Sequence, residues 1–479
     1  MARHARVVAA LFVAVLVGTA CGSRLPDQTL KAIDATIQNG GSGGANGTAA
    51  GAGGPGEPVA KGDAGSASPA AGGSSQAASA PGASSGGTSG AAATASGSAC
   101  TPSNATSAGV TPKEIKVASI VTDSGPLPGA TAGAYRGAGA YFAMINSQGG
   151  VCGRKLTLSK GDDGLDPQRA KQEFERLEPS VLGFVGSFAV ADSGYVDLID
   201  QRKVPHLSSP IDPSGRKLQW VFPKRSGNEI PSGPWVYLKQ QHPDVVKTAI
   251  LYSDVSAVKV NLPGTVKAVQ AAGFQLVEPP IAVNVAEPDY TGTIRDLQDK
   301  GVDFVYLFSF EVNMHVRFAR NMKQQHFEPK IKGANIAFND RFSDLLKGDG
   351  DGWVNVNTYL PFLDPGESAK SKAVNDFMTW NKRVFPNQQI DLFNVSGWGS
   401  AAYFVEALRK AGGDVNRQSL FNAISTIDHY DDGGVGVPYD PKSGELTKCF
   451  SMGIAQGGAW KRLYPATGLD CTTGDVVKF

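Results

Sequence analysis

From Glu114 onward, short β-branched runs alternate with amphipathic stretches of helical period, and the cycle starts twice. In the first block, 115–121 reads as a strand and 132–146 as a helix carrying Tyr141, Phe142 and Ile145. Residues 155–158 form the next strand. Asp166 then offers an N-cap and Pro167 a first helical position, which opens a helix through Leu177. Strands at 181–185 and 204–208 flank a helix that ends at Arg202. In the second block the expected strands are 248–252, 276–283, 304–308, 331–336 and 354–360. Helices at 261–272, 292–300 and 312–325 separate them. Strands that alternate with helices imply parallel sheets built from right-handed βαβ units. Two such blocks predict two α/β lobes. Helices at 372–384, 397–411 and 417–424, and a β-rich tail, must be shared between them. The predicted division is 100–228 with 362–434 for lobe 1, and 229–361 with 435–479 for lobe 2.

The chain ahead of this region is of another kind. Arg3, His4 and Arg6 precede an apolar run, 7–17, and a small-residue stretch ends at Cys21. That is a charged n-region, a short h-region and a processing site, too short for a retained membrane helix. The string Val17-Gly18-Thr19-Ala20-Cys21 resembles a bacterial lipobox, in which the cysteine is acylated. Lipoboxes usually carry Leu where this chain has Gly18, so ordinary signal cleavage nearby is the alternative. From about Gly40 to Ser98 the residues are almost wholly Ala, Gly, Ser, Pro and Thr, which cannot bury a core. As a Gly-rich coil of about 60 residues this tether would reach roughly 40–50 Å.

A net charge of +1 provides no field for nucleic acid, and no basic run is interleaved with aromatics. Cys100, Cys152, Cys449 and Cys471 remain once Cys21 is set aside. An even number in an exported chain suggests two disulfides with three possible connectivities. Cys100–Cys152 with Cys449–Cys471 is favoured, because each pair sits at one end of the folded region. No CxxC spacing points to zinc. Ser256-Ala257-Val258-Lys259 spells SxxK, but the SDN and KTG partners of that chemistry are missing. Asp349-Gly350-Asp351-Gly352 starts like a calcium loop, yet Trp353 and Leu360 occupy positions that need oxygen ligands. Neither an enzyme nor a cofactor is expected.

Several ordered strings carry a family resemblance: Asp123-Ser124-Gly125-Pro126-Leu127, the run from Tyr141 to Gly150, Gly153-Arg154-Lys155-Leu156, and Gly161-Asp162-Asp163 with Asp166-Pro167. Val185-Gly186-Ser187, the run from Val204 to Pro210, and Gly301-Val302-Asp303-Phe304-Val305 continue the order. Together they resemble the leucine/isoleucine/valine-binding proteins, the type I periplasmic binding proteins of branched-chain amino acid uptake. The resemblance covers essentially all of the chain after the tether. It implies two Rossmann-like lobes joined by three crossovers, with a small-molecule solute bound between them. It also implies ABC permease subunits as partners and a monomer; with the lipobox-like string at Cys21, the expected location is extracytoplasmic, on the cell membrane through a lipid anchor. A ligand sensor on the same fold, reporting to a membrane or regulatory partner, is the alternative.

The loops 187–193 and 209–214 follow strands and are candidates to grip a ligand. Phe188, Ala189, Val190 and Asp192 belong to the first, and Ser209, Ile211 and Asp212 to the second. By the resemblance, Val190 and Ile211 occupy the amide positions that hold an amino acid's carboxylate, and Pro213 replaces a Thr. Asn335 stands where the family places an acid for the ammonium. Ala130 and Ala257 fall on aromatic positions, while Phe310 keeps its aromatic. The expected solute is an amino acid or a related small polar or carboxylate compound. Asp162 and Asp163 are expected to cap loops, and Trp398 to pack near the hinge.

Overall fold

The computed structural model describes residues 100–224 and 229–479; the signal, Cys21 and tether assignments lie outside the described residues. Two sheets organise the chain. The first has the order β2-β1-β3-β4-β5. Its strands are β1 (Glu114–Val121), β2 (Lys155–Asp162), β3 (Phe184–Ser187), β4 (His206–Ser208) and β5 (Val221–Phe222). Every pairing in it is parallel.

A short β6 (Glu229–Pro231) leads into the second block. Its sheet begins with β7 (Lys247–Ser253), β8 (Gln275–Leu276), β9 (Ile281–Val283), β10 (Phe304–Phe308), β11 (Ile331–Ala334) and β12 (Trp353–Asn357). It is completed by β13 (Ser451–Gln456) and β14 (Ala459–Tyr464), which join antiparallel at the β12 edge. The order is β14-β13-β12-β11-β10-β7-β8, with β9 also paired to β7. A final β15 (Val476–Lys478) pairs with β6.

The expected single strand over 276–283 is two pieces, both running parallel to β7. Pro279 and Pro280 lie between them and have no N–H to give to a ladder. The expected N-cap is present: the Asp166 carboxylate accepts from the Arg169 amide and Pro167 opens the helix Pro167–Leu177. One helix is longer than expected. Leu392–Ala411 starts five residues before Gly397, on a capping box made by Asp391 and Asn394. Helices Lys372–Val384 and Arg417–Ile424 match their expected bounds.

The chain passes from the first sheet to the second between β5 and β6. It returns through Leu392–Ala411, whose Ala401, Phe404 and Leu408 share a core with Val117, Phe142 and Val185. It then crosses again to β13. This is a two-lobed α/β architecture with three crossovers. Trp398 is 1 % exposed and packs edge-on against Tyr141, ring centroids 4.8 Å apart, and against Phe377 at 5.6 Å. Cys100 is bonded to Cys152 and Cys449 to Cys471. No helix among the described residues is long and apolar enough to cross a membrane.

Candidate functional site

In parallel sheets the backbone leaves each strand at its carboxyl end, so loops from neighbouring strands gather at one edge. Here those loops border a cavity of about 490 Å³, within the range of small-molecule sites. Phe188 and Val190 come from the loop after β3, and Ile211 from the loop after β4. From the second lobe, Ala257 follows β7, Glu311 follows β10, Asn335 follows β11, and Tyr359 follows β12. Ala130 lies ahead of the helix Ala132–Ser147, and Leu392 and Phe393 begin the returning helix. Phe188 meets Phe393 edge-on, centroids 4.9 Å apart.

The sequence candidates divide into two groups. Ala130, Phe188, Val190, Ile211, Ala257 and Asn335 are brought together on the cavity wall. Ala189 is 2 % exposed, within the core of Phe184 and Tyr195. Phe310 is 1 % exposed, edge-on to Phe318. Ser209 lines an adjoining cavity of about 330 Å³. The Asp212 carboxylate folds back on its own turn and accepts from the Ser214 amide and hydroxyl.

The polar groups placed to grip an amino acid already have partners within the chain. The Val190 amide donates to Thr122 Oγ1 at 2.9 Å, and that hydroxyl donates to Asp163 at 3.0 Å. Asp163, fully buried, also accepts from the Ala191 and Leu165 amides. Asp162 likewise accepts from the amides of Asp123, Ser124 and Gly164. Both carboxylates thus cap loops. The Ile211 amide donates to Asp192 at 2.7 Å and the Asp212 amide to the same carboxylate at 3.0 Å. Across the cavity, Asn335 Oδ1 accepts from the Ser309 amide at 2.8 Å. Glu311 is spent as the N-cap of Val312–Gln324, accepting from the amides of Asn313 and Met314. Among the described residues that line the cavity there is no Lys, Arg or His, and most of the wall is apolar.

Asp192 carries a testable electrostatic signature. Burial pushes its carboxyl up from the ordinary 3.8 to about 7, against the opposing pull of the Ile211 and Asp212 amides. Between those two values the folded chain holds a proton that the unfolded chain has released, so this group's contribution to stability falls as pH rises through the window. Asp192→Asn cannot ionise and removes that slope. Its urea midpoint is expected to rise relative to the parent between pH 5 and pH 8. An identical difference at both pH values would show that Asp192 does not titrate there.

Two motifs resolve locally. In Ser256–Lys259, Lys259 Nζ pairs with Asp254 at 2.6 Å rather than with Ser256. In the loop after the helix Asp340–Leu346, Asp349 pairs with Lys323, and Asp351 accepts from the amides of Gly457 and Gly458. The sequence reading missed Trp235, Thr265 and Tyr306, which also line the cavity. Each sits inside a helix or strand, where its spacing is that of an ordinary core residue.

Comparison with known proteins gives a consistent picture. Residues 114–459 match the sequence profile of a family described as periplasmic binding protein. No curated protein matches the chain in sequence. Among solved structures, the fold is similar to a fatty acid ABC transporter substrate-binding protein from Thermomonospora curvata. The identity is 19 %, the match covers 74 % of this chain and 92 % of that one, and the TM-score is 0.59. It is similar to a possible leucine/isoleucine/valine-binding protein from Rhodopirellula baltica SH 1, at 17 % identity, 75 % and 98 % coverage and a TM-score of 0.60. It is also similar to an ABC transporter solute-binding protein from R. palustris in complex with benzoate, at 17 %, 76 %, 97 % and 0.59.

Proposed function

This chain belongs to the periplasmic binding protein family, extracytoplasmic proteins that bind small solutes, and from that premise we propose that its own solute is predominantly apolar. One observation carries the reading: most of the cavity wall is apolar, and the amides at Val190 and Ile211 that would hold an amino acid's carboxylate already donate to Thr122 and Asp192. A zwitterion entering this cavity would find no cation for its carboxylate, and its ammonium would meet only Glu311, whose oxygens already accept from the Asn313 and Met314 amides; an unpaired charge in such a place is costly. An apolar body loses nothing of that kind and gains by burial. Two of the similar structures, the fatty acid transporter's substrate-binding protein and the benzoate complex, are associated with ligands that have large apolar parts.

The solute is delivered to ABC permease subunits, and the protein works as a monomer held at the membrane by a lipid on Cys21. Its lobes are 100–228 with 362–434, and 229–361 with 435–479, and they close on the solute about the crossovers. Contacts made to both lobes at once favour the closed form.

A thermal-shift panel tests this. Octyl and phenyl compounds are expected to raise the melting point of the full chain; at 100 times its Kd a ligand adds about 2.7 kcal/mol. Leucine, isoleucine and valine are expected to leave it unchanged. The Cys21→Ser variant should show the same ligand order and should move from the membrane fraction to the soluble one. A largest shift from leucine at micromolar concentration would sink the apolar-solute reading.

A further inference from the structure

A second cavity adjoins the first, and its walls differ. It holds about 330 Å³, and Phe188, Ile211, Asn261, Thr358, Tyr359 and Leu392 line both. Its other walls come from the segments that join the lobes. Val221 and Glu229 flank the first passage between the sheets, Ser396 lies on the returning helix Leu392–Ala411, and Asp432 and Leu446 lead back to β13. All three crossovers therefore border this space.

The described wall of the first cavity has no cation, whereas the second has Arg216 together with Glu229 and Asp432. Each of these is held within the chain. Arg216 Nη2 donates to Asn261 Oδ1 at 3.1 Å, across the cleft from the loop after β4 to the loop after β7. Glu229 accepts from the Leu446 amide at 3.3 Å, and Asp432 accepts from the Tyr430 hydroxyl at 2.8 Å. Hydroxyls complete the wall. Ser209 and Ser396 are partly buried and Thr358 is exposed. Among the described residues none of these three hydroxyls has a hydrogen-bond partner, and none is sealed in the core.

We propose that the two cavities form one elongated site: the first takes the solute's apolar body, and the second takes an uncharged head carrying several hydroxyl groups, as on an alkyl or aryl polyol. A hydroxyl both donates and accepts, so such a head can meet serine and threonine hydroxyls, a guanidinium or a carboxylate with either sense of bond. A charged head fits less well. A carboxylate would meet two carboxylates for one guanidinium, and an ammonium would meet that guanidinium and two carboxylates already accepting from Leu446 and Tyr430. This deepens the apolar-solute reading and rests on it; the solute becomes an amphiphile. Closure gains a cause as well, because a head that touches every connecting segment makes its best bonds in only one arrangement of the lobes.

Four probes share one eight-carbon chain: octyl glucoside, 1-octanol, octanoate and n-octylamine, each titrated calorimetrically into the full chain at pH 7 below its micelle concentration. Octyl glucoside is expected to bind at least about 10-fold more tightly than 1-octanol, the worth of one or two added hydrogen bonds. It should also bind more tightly than either charged probe. Ser396→Leu fills part of the second cavity with a good helix former. It is expected to erase that gain, weakening octyl glucoside by at least about 10-fold and leaving 1-octanol unchanged. Ser209→Ala removes one hydroxyl with little change of shape, and is expected to weaken octyl glucoside alone by about 3- to 10-fold.

If 1-octanol binds and octyl glucoside binds no more tightly, or if octanoate or octylamine binds best, the head site is wrong and the apolar reading stands. The same holds if octyl glucoside binds best but neither substitution separates it from 1-octanol. If no octyl compound binds, both fall. Ser209→Ala is conservative, so the outcome does not depend on Ser396→Leu folding well.

Discussion

Arg154→Met is expected to cost about 3–5 kcal/mol of folding stability, the range for stripping one side of a buried charged interaction, read as a drop in denaturant midpoint. Arg154 is fully buried. Its Nε donates to Thr111 O at 2.8 Å, Nη1 to Gly413 O at 2.5 Å, and Nη2 to Ser103 O at 2.7 Å and Ala105 O at 2.9 Å. All four partners are backbone carbonyls. A guanidinium taken out of water needs its donors met, so those dipoles together must replace its hydration. Methionine fills similar space but leaves four carbonyls facing a thioether. Lysine should recover only part of the loss, because an ammonium has three donors and no planar fork. A cost below about 1 kcal/mol for Arg154→Met would mean that water replaces the guanidinium, contrary to this account.

Gly397→Ala should be nearly as damaging, at about 3 kcal/mol or more, the upper part of the range for overpacking. A Cβ at Gly397 would stand 1.8 Å from Ala134 O, and one at Gly137 would stand 1.9 Å from Asn394 O. Both obstacles are backbone atoms, so no rotamer change relieves them. The helices Ala132–Ser147 and Leu392–Ala411 must move apart, and the latter carries Leu392 and Phe393 on the cavity wall. Solute affinity should fall together with stability. Gly292→Ala is the control: nothing lies within 4 Å of its Cβ position, and alanine is the better helix former. Equal melting points for the Gly397→Ala and Gly292→Ala variants would refute the close-contact argument.

Much of the fold was legible because it is written in local pattern. The strand and helix periods, the Asp166-Pro167 start and the shared helices at 372–384 and 417–424 all depend on neighbours in sequence. Where the pattern misled, the cause was also local. The expected helix began at Gly397, but Gly397 and Gly399 are packing positions inside a helix capped earlier by Asp391.

The site was legible only in outline. Its loops follow from strand ends, and six of the candidate residues do line one cavity. Whether an amide there is free depends on residues far away in sequence. Thr122 takes the Val190 amide across 68 positions, and Asp192 takes that of Ile211 across 19. No spacing rule announces such pairs. Trp235 and Thr265, which also line the cavity, were hidden for the opposite reason: buried on helices, they have the spacing of core residues.

Cys100, where the described fold begins, is linked covalently to Cys152, just before β2, and the carbonyls of Ser103 and Ala105 are held by Arg154. Any pull transmitted along the chain ahead of Cys100 therefore meets a cross-link into the first lobe before it reaches β1. Load would enter the first lobe at Cys152 and Arg154, beside β2, rather than at the first residue of β1.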